Sequence, residues 1–366
     1  MEMLRYILFM VCIISGTNVL ADSIKDSFQK KFGQLAREQD RFAIAAGFAL
    51  ENNAPITFVS GKRYRGAGLV GGDAPWHIGS ITKSFTSVLV MRLFEQGKLR
   101  LDDPIGPIII DIAPDMHADW QAITLRQLLS HTSGVPANVS VFHLRKSGTS
   151  DPSQDRIERL KVLWTKPLND RAGQFEYSNV GYVLAGVIVE HVTGAPWEQL
   201  VVSEVTQPFG LNSAGFGAPT HASAAWGHRQ ILGFQKAMDP NKVTSDNAAW
   251  MGPAGRLHLS MDDLLRWGQL HLSACKGRAP DFLTQESCIA MRTPNAADYG
   301  LGWVIHRSPE YDAALIWHNG SNTMWYTAVM MVPKYDLVIA MATNTRNPKL
   351  VDDGLQDLMV DILETL

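Results

Sequence analysis

The sequence predicts an α+β fold, and three observations carry that expectation. Strand-like runs cluster near both ends of the chain, the long middle follows helical periodicity, and no low-complexity linker or internal repeat divides the two. The expected result is one antiparallel sheet assembled from both termini, roughly 22–79 and 295–366, and flanked by helices. A mostly helical region, roughly 80–294, is inserted between its halves. At 366 residues and 46% hydrophobic content, the chain is long enough to bury a large core.

Each element has its own signal. "DSIKDSFQKKFGQLAREQD" reads as an amphipathic helix, and "RFAIAAGFAL" and "PITFVSGKRY" as strands joined by the polar turn "ENNA". Ser80 to Gly97 predicts a helix whose apolar positions Val88, Leu89, Met91, Leu93 and Phe94 make it a largely buried element. Thr124 and Gln127 form a capping-box pair ahead of "LLSH". "VGYVLAGVIVEHVTG" is a helix stopped by Gly194, and "SMDDLLRWGQLHLS" opens with a Ser260/Asp263 cap. The strands then resume with "LGWVIH", "AALIWHNG", "YTAVMMVP" and "DLVIAMATN", and "LVDDGLQDLMVDILETL" closes the chain as a helix.

Composition excludes several function classes. The formal net charge is −3 and no long basic run occurs, so nucleic acid is not an expected partner. The first residues carry Arg5, an apolar run from Tyr6 to Ile14, and the small-residue site Val19-Leu20-Ala21. This is the pattern of an export signal over 1–21, removed after Ala21, with an uncleaved anchor as the alternative. No later apolar run is long enough to span a bilayer, so the mature 22–366 segment is expected to be exported, periplasmic or secreted, without a membrane span. Cys12 would leave with the signal. Cys275 and Cys288 remain, either as a disulfide or as two buried thiols. Neither has the neighbours of a zinc site, and the 11 histidines show no His-Glu-x-x-His spacing, so no metal and no cofactor are expected.

Two familiar motifs can be set aside. Gly66, Gly68 and Gly71 spell Gly-x-Gly-x-x-Gly, but Gly72-Asp73-Ala74-Pro75 follows where a dinucleotide site needs a helix. The run is expected to be a turn. The Gly-x-Ser-x-Gly elbow of α/β-hydrolases is absent, so a serine nucleophile here needs another means of activation.

Ser-x-x-Lys occurs three times, as Ser27/Lys30, Ser80/Lys83 and Ser273/Lys276. Only the middle copy opens a strongly apolar helix directly after a glycine. Residues three apart share a helix face, which places Lys83 beneath the Ser80 hydroxyl, and the helix start aims free N–H groups at a developing oxyanion. Burial would have to lower the lysine pKa for the amine to act as a base. The only Tyr-x-Asn in the chain is Tyr177-Ser178-Asn179. A phenol beside a lysine ammonium loses its proton more easily and could relay protons, while Asn179 could bind Lys83 and a substrate carbonyl together. Ser178 or Asn179 also suits a helix N-cap. In "IWHNGSNTMWY", His318-Asn319-Gly320 ends a strand, and the Ser321 N–H is positioned as a second oxyanion donor beside that of Ser80.

Together, in this order, these motifs resemble the signature set of the serine β-lactamase and penicillin-binding-protein superfamily. They look most like its class C branch, which includes class C β-lactamases, D-alanyl-D-alanine carboxypeptidases and family VIII esterases. "GKLRLDDPI", "ITLRQLLSHTSG", "GPAGRLHLSMDDL" and "YGLGW" extend the likeness over most of the chain. The resemblance implies Ser80 as acylated nucleophile, with Lys83 and Tyr177 exchanging protons with it. Asn179, His318, Asn319, Gly320 and Ser321 would bind substrate, a small molecule or a peptide that includes peptidoglycan-derived ones. A rival middle motif, Ser245-Asp246-Asn247, reads like that of class A enzymes but falls in a polar loop.

The substrate is less constrained. Penicillin-cleaving class C enzymes carry Lys-Thr-Gly where this chain has His318-Asn319-Gly320, which weakens the positive potential offered to a substrate carboxylate. The expected activity is cleavage of an amide or ester bond in a D-alanyl peptide, a β-lactam or a small ester. A non-catalytic homologue that only binds peptidoglycan-like ligands is the alternative. Trp303, Trp317, Trp325 and Tyr326 crowd the third motif, either as core or as the lining of an acyl pocket.

Overall fold

A computed structural model describes residues 21–39, 41–140, 151–168, 171–232 and 234–366. Apart from Ala21, the expected signal segment, with Cys12, lies outside these residues. The first described helix, α1, covers 21–38. Strands β1 (Ile44–Leu50) and β2 (Ile56–Ser60) follow, and the C-terminal part supplies β3 (Val304–Ser308), β4 (Ala313–Ser321), β5 (Tyr326–Val332) and β6 (Leu337–Thr343). They form one antiparallel sheet in the order β2-β1-β6-β5-β4-β3, so the two ends of the chain meet where β1 pairs with β6.

Period-two alternation divides the sheet between two cores. On β1, Ala45 and Ala49 face the larger core with the central helices, while Ile44, Ala46 and Phe48 face the smaller one. That smaller core is closed by Phe28 and Phe32 of α1 and by Leu355, Leu358 and Ile362 of the C-terminal helix Pro348–Thr365. The result is an α/β/α arrangement in which the central strands β1, β6 and β5 are covered on both faces.

The expected start and stop signals operate as read. Thr124 and Gln127 make the reciprocal capping box, and Ser260 Oγ accepts the Asp263 N–H. Gly194 ends the Asn179–Thr193 helix in the left-handed conformation. Gly66 to Gly71 form a turn with no helix behind it. Cys275 and Cys288, left open by the sequence, are joined as a disulfide.

Two expectations need correction. The region from 80 to 294 is less uniformly helical than its pattern suggests. It contributes Gly215–Phe216 and Leu257–Ser260 to a small sheet with Pro75–His77, and a separate hairpin of His228–Ile231 with Phe234–Ala237. These strands are short, so periodicity over a longer window misses them. Phe94, expected in the buried stripe, is 39% exposed because it sits in the last turn of its helix, where the packed face has run out.

Candidate active site

Ser80 sits in a tight turn of 3-10 helix, Gly79–Ile81, that leads directly into the helix Thr82–Glu95, α2. That helix runs through the middle of the larger core. Its hydroxyl residues make burial tolerable by finding partners: Thr86 donates to the Pro253 carbonyl at 2.7 Å, and Ser84 donates to Ile81 O and accepts from Trp267 Nε1. Phe85 stacks on Trp267 with centroids 3.8 Å apart.

Lys83 is fully buried on this helix. Its Nζ lies 3.1 Å from Ser80 Oγ, 2.8 Å from Asn179 Oδ1 and 2.7 Å from the Ala254 carbonyl oxygen. Burial holds its pKa well below the ordinary lysine value. The partner set fits a neutral amine. Two N–H bonds go to acceptors that carry no proton, and the lone pair is left for the one neighbour that has a proton to give, the Ser80 hydroxyl.

Tyr177, Ser178 and Asn179 stand at the start of the Asn179–Thr193 helix and are fixed by the 131–138 segment. Ser178 is the N-cap, its Oγ accepting from Gly181 N–H and donating to Pro136 O. The Ser178 N–H donates to His131 Nδ1 at 3.1 Å, and the Asn179 N–H donates to Ala137 O at 2.8 Å. Asn179 Nδ2 donates to Asn138 Oδ1 at 2.8 Å, which leaves Oδ1 aimed at Lys83.

The Lys83 Nζ lies 4.8 Å from the centre of the Tyr177 ring. The structure reverses the expectation that this tyrosine ionises readily. Burial pushes the phenol well above its ordinary value, and its hydrogen bond with Ser80 offsets only part of that. With Lys83 held neutral there is no ammonium to stabilise a phenolate.

The third motif splits across the sheet. His318 and Gly320 face the cluster, whereas Asn319 faces the C-terminal helix, where its Nδ2 donates to the Tyr326 hydroxyl at 2.6 Å. Tyr326 in turn donates to Asp352. Alternation along β4 accounts for this: a residue between two cleft-facing neighbours must point away. The Asn319 side chain is therefore not among the groups brought together around Ser80. His318 is buried, with Nδ1 2.5 Å from Asn319 O and Nε2 3.0 Å from the Tyr299 hydroxyl. Nδ1 donates and Nε2 accepts from Tyr299. Burial, the largest influence on it, lowers its pKa to about 3, so it is a neutral imidazole.

Gly79 and Gly320 bring two backbones into contact. Gly79 has φ +48, and a Cβ there would fall 2.1 Å from Ser321 N. A Cβ on Gly320 would fall 2.0 Å from Ile78 O and 2.4 Å from Ser80 N. Only glycines let the nucleophile turn lie against the end of β4, which places the Ser80 and Ser321 backbone nitrogens side by side.

Asp246 clamps the same junction. It lies 2.9 Å from His77 Nε2, accepts from Asn322 Nδ2 at 2.8 Å and lies 3.2 Å from Arg256 Nε. His77 precedes the nucleophile turn and Asn322 follows Ser321, so one carboxylate ties both strands. Burial acts to raise its pKa, but His77, Asn322 and Arg256 outweigh this and bring it to about 2. The Ser245-Asp246-Asn247 run thus serves as a brace: Ser245 donates to Asp239 O and Asn247 to Gly255 O, and no hydrogen bond runs from this tripeptide to Lys83.

Several residues had no assigned role in the sequence. Asn138 carries no signal at all, and the Ala254 carbonyl is invisible to side-chain reasoning. His131 and Tyr299 lie inside the quoted runs "LLSHTSG" and "YGLGW", but nothing local says that they meet. They pack with ring centres 4.7 Å apart, beside Tyr177. Trp303 and Trp325, considered for an acyl pocket, are wholly buried core residues.

The Beta-lactamase family model matches residues 32–363. The chain belongs to that family. Among curated relatives, it is 25% identical over 293 residues to Protein flp of Staphylococcus aureus strain MW2, covering 76% of this chain and 55% of that protein. The chain thus spans about half the length of that relative. It is 27% identical over 304 residues to Penicillin-binding protein 4 of Amycolatopsis lactamdurans, covering 78% of this chain and 76% of that one. D-alanine carboxypeptidase AmpC from Burkholderia cenocepacia shares the fold, with a TM-score of 0.72 at 20% identity over 94% of this chain and 100% of that chain. Among the described residues no group of side chains is suited to hold a metal ion, and no helix is long and apolar enough to cross a membrane.

Proposed function

We propose that the protein is an exported serine hydrolase that cleaves ester or amide bonds through an acyl-Ser80 intermediate, with residues 22–366 working as one hydrolase domain. The observation that carries this reading is the buried Lys83 amine, 3.1 Å from Ser80 Oγ and hydrogen-bonded by two proton-free acceptors. Nothing in a purely structural role calls for a lysine at that depth.

Lys83 takes the Ser80 proton as Oγ attacks the substrate carbonyl carbon. The carbonyl oxygen becomes an oxyanion between the N–H groups of Ser80 and Ser321. The tetrahedral intermediate then collapses, and the leaving alkoxide or amine takes its proton from Lys83 through the Tyr177 hydroxyl, which stays protonated at rest and acts as a relay. Water attacks the acyl-enzyme on the reverse course, giving the acid and free Ser80. Asn179 orients Lys83 and meets the incoming acyl group.

Of the substrate classes open to the family, the third motif favours a small ester or neutral amide over a β-lactam or a D-alanyl peptide. His318 is uncharged and Asn319 is turned away, so neither offers a substrate carboxylate a cation or a side-chain donor. The leader-like first residues and the paired cysteines support export. The test is to follow turnover of a nitrophenyl butyrate, a D-Ala-D-Ala peptide and benzylpenicillin by the parent and by Ser80→Ala. Ester turnover that disappears in Ser80→Ala is expected. Turnover unaffected by that change, or no turnover with any of the three, contradicts the reading and leaves the non-catalytic homologue.

A further inference from the structure

One face of the molecule combines exposed apolar side chains with cations that have no acidic partner among the described residues. It is built from two neighbouring turns. In the first, the Arg63 N–H bonds Gly68 O, and Lys62 pairs with Leu69. The second is the hairpin of His228–Ile231 and Phe234–Ala237. They are locked together: Trp226 N–H donates to Arg63 O, the Arg63 side chain donates to Ala224 O, and Tyr64 and Trp226 pack with ring centres 4.2 Å apart.

The apolar groups stand at the tips. Leu232 is 94% exposed, Phe234 78%, Leu69 75% and Ile231 41%, so no described residue covers them. Beneath the tips lie two cavities. One, of about 720 Å³, is lined by Arg41, Lys62, Arg65 and Phe234, and the other, of about 540 Å³, by Arg229 and Arg346. Among the described residues, no carboxylate lines either cavity. Among the described residues, no ion pair is formed by Arg41, Lys62, Arg65, Arg229 or Arg346, although the chain as a whole is acidic with a net charge of −3. A charge arrangement of this sign on a net-negative protein attracts an anionic surface locally and not through the overall field.

We propose that this face docks on an anionic phospholipid surface, with Leu232, Phe234 and Leu69 entering the headgroup boundary and the arginines and lysine meeting lipid phosphates. The charge complementarity commits to that occupant, because a soluble polyanion would use the cations but gains nothing from four exposed apolar tips. The base of the hairpin is tied to strand ends near the active site: His228 N–H donates to Met324 O, just past Ser321, and to Asn344 O, just past β6. Docking there would hold the candidate catalytic cleft beside the lipid, which suits an acyl ester carried in or near a membrane. The docking stands apart from the hydrolase reading, since none of these residues touches Ser80.

The experiment is sedimentation of the full chain with vesicles of phosphatidylcholine alone and of phosphatidylglycerol mixed with phosphatidylcholine. The parent is compared with Lys62→Glu/Arg65→Glu and with Leu232→Ser/Phe234→Ser. Because all three proteins share the same N-terminus, any difference belongs to this face. Expected are preferential binding to the phosphatidylglycerol vesicles and a loss of about tenfold or more in each double variant, with weakening in high salt. Hydrolysis of a soluble ester at the parent rate in both variants would show that they are folded. Equal binding by parent and variants overturns the proposal. So does binding that survives loss of the apolar tips and is matched by soluble polyphosphate, which would make the face a polyanion site.

Discussion

At the scale of single residues, the account turns on which groups carry a proton. Lys83 is neutral and Tyr177 is not ionised, both because burial penalises the charged form. Activity should therefore fall away on the acid side as Lys83 gains its proton, at a pH well below the ordinary lysine value of 10.5. A pH profile of kcat/KM checks this, and an acid limb that persists unchanged in Lys83→Arg would count against it. Stability has the matching sign. A lysine whose folded value is depressed leaves the unfolded chain binding more protons, so stability rises with pH toward 10.5 and is lost as pH falls toward the folded value. Lys83→Met should flatten that dependence in denaturant titrations on the alkaline side of neutrality. Tyr177→Phe keeps the ring packing on His131 and removes only the hydroxyl. A loss of about a hundredfold or more in kcat with an unchanged unfolding midpoint is expected. The order Ser-x-x-Lys, Tyr-x-Asn, His-x-Gly was legible in the sequence because each motif is local. The protonation states were not, since they depend on burial contributed by distant segments.

At the scale of elements, the nucleophile turn and the end of β4 are held in contact by glycine on both sides and by Asp246 across them. Asp246→Ala strands His77, Asn322 and Arg256 together, with the first almost wholly buried. It should lower stability by about 3 kcal/mol and reduce kcat more than it raises KM, because the oxyanion donors lose their spacing. Equilibrium unfolding with steady-state kinetics separates the two effects; an intact kcat would show that the brace is not needed for the donors. The sequence displayed Ser245-Asp246-Asn247 as a rival motif in a polar loop, and Tyr177-Ser178-Asn179 was preferred to it, but the bracing role of Asp246 was not legible, since a tripeptide does not reveal what it faces. Helix caps, by contrast, were readable at Thr124, Ser178, Gly194 and Ser260, because a cap is decided within a few residues. The short strands at 215–216 and 228–237 were not. Gly215–Phe216 pairs with a segment distant in the chain, and the hairpin strands His228–Ile231 and Phe234–Ala237 are too short to show a periodic pattern.

At the scale of the whole molecule, the two chain ends make one sheet and the insertion between them supplies most of the active-site walls. The alternation of strands and the amphipathic terminal helices made this architecture legible, because the central strands are buried on both faces and each face selects its own residues. The disulfide closes a short loop, 13 residues apart in sequence, beside the helix that packs against α2. Replacing both cysteines with serine should cost about 3 kcal/mol of unfolding free energy while leaving turnover intact below the transition. Thermal unfolding with and without reductant checks this, and an unchanged parent midpoint under reductant would show that the bridge contributes little.

The most direct test of the central claim is the intact mass of the protein after brief exposure to a serine-directed nitrophenyl phosphonate, followed by mapping of the modified peptide. A single adduct on Ser80, absent in Ser80→Ala and much slower to form in Lys83→Ala, is the predicted result. An adduct on another serine, or labelling of Ser80 at the same rate without the lysine, would contradict it.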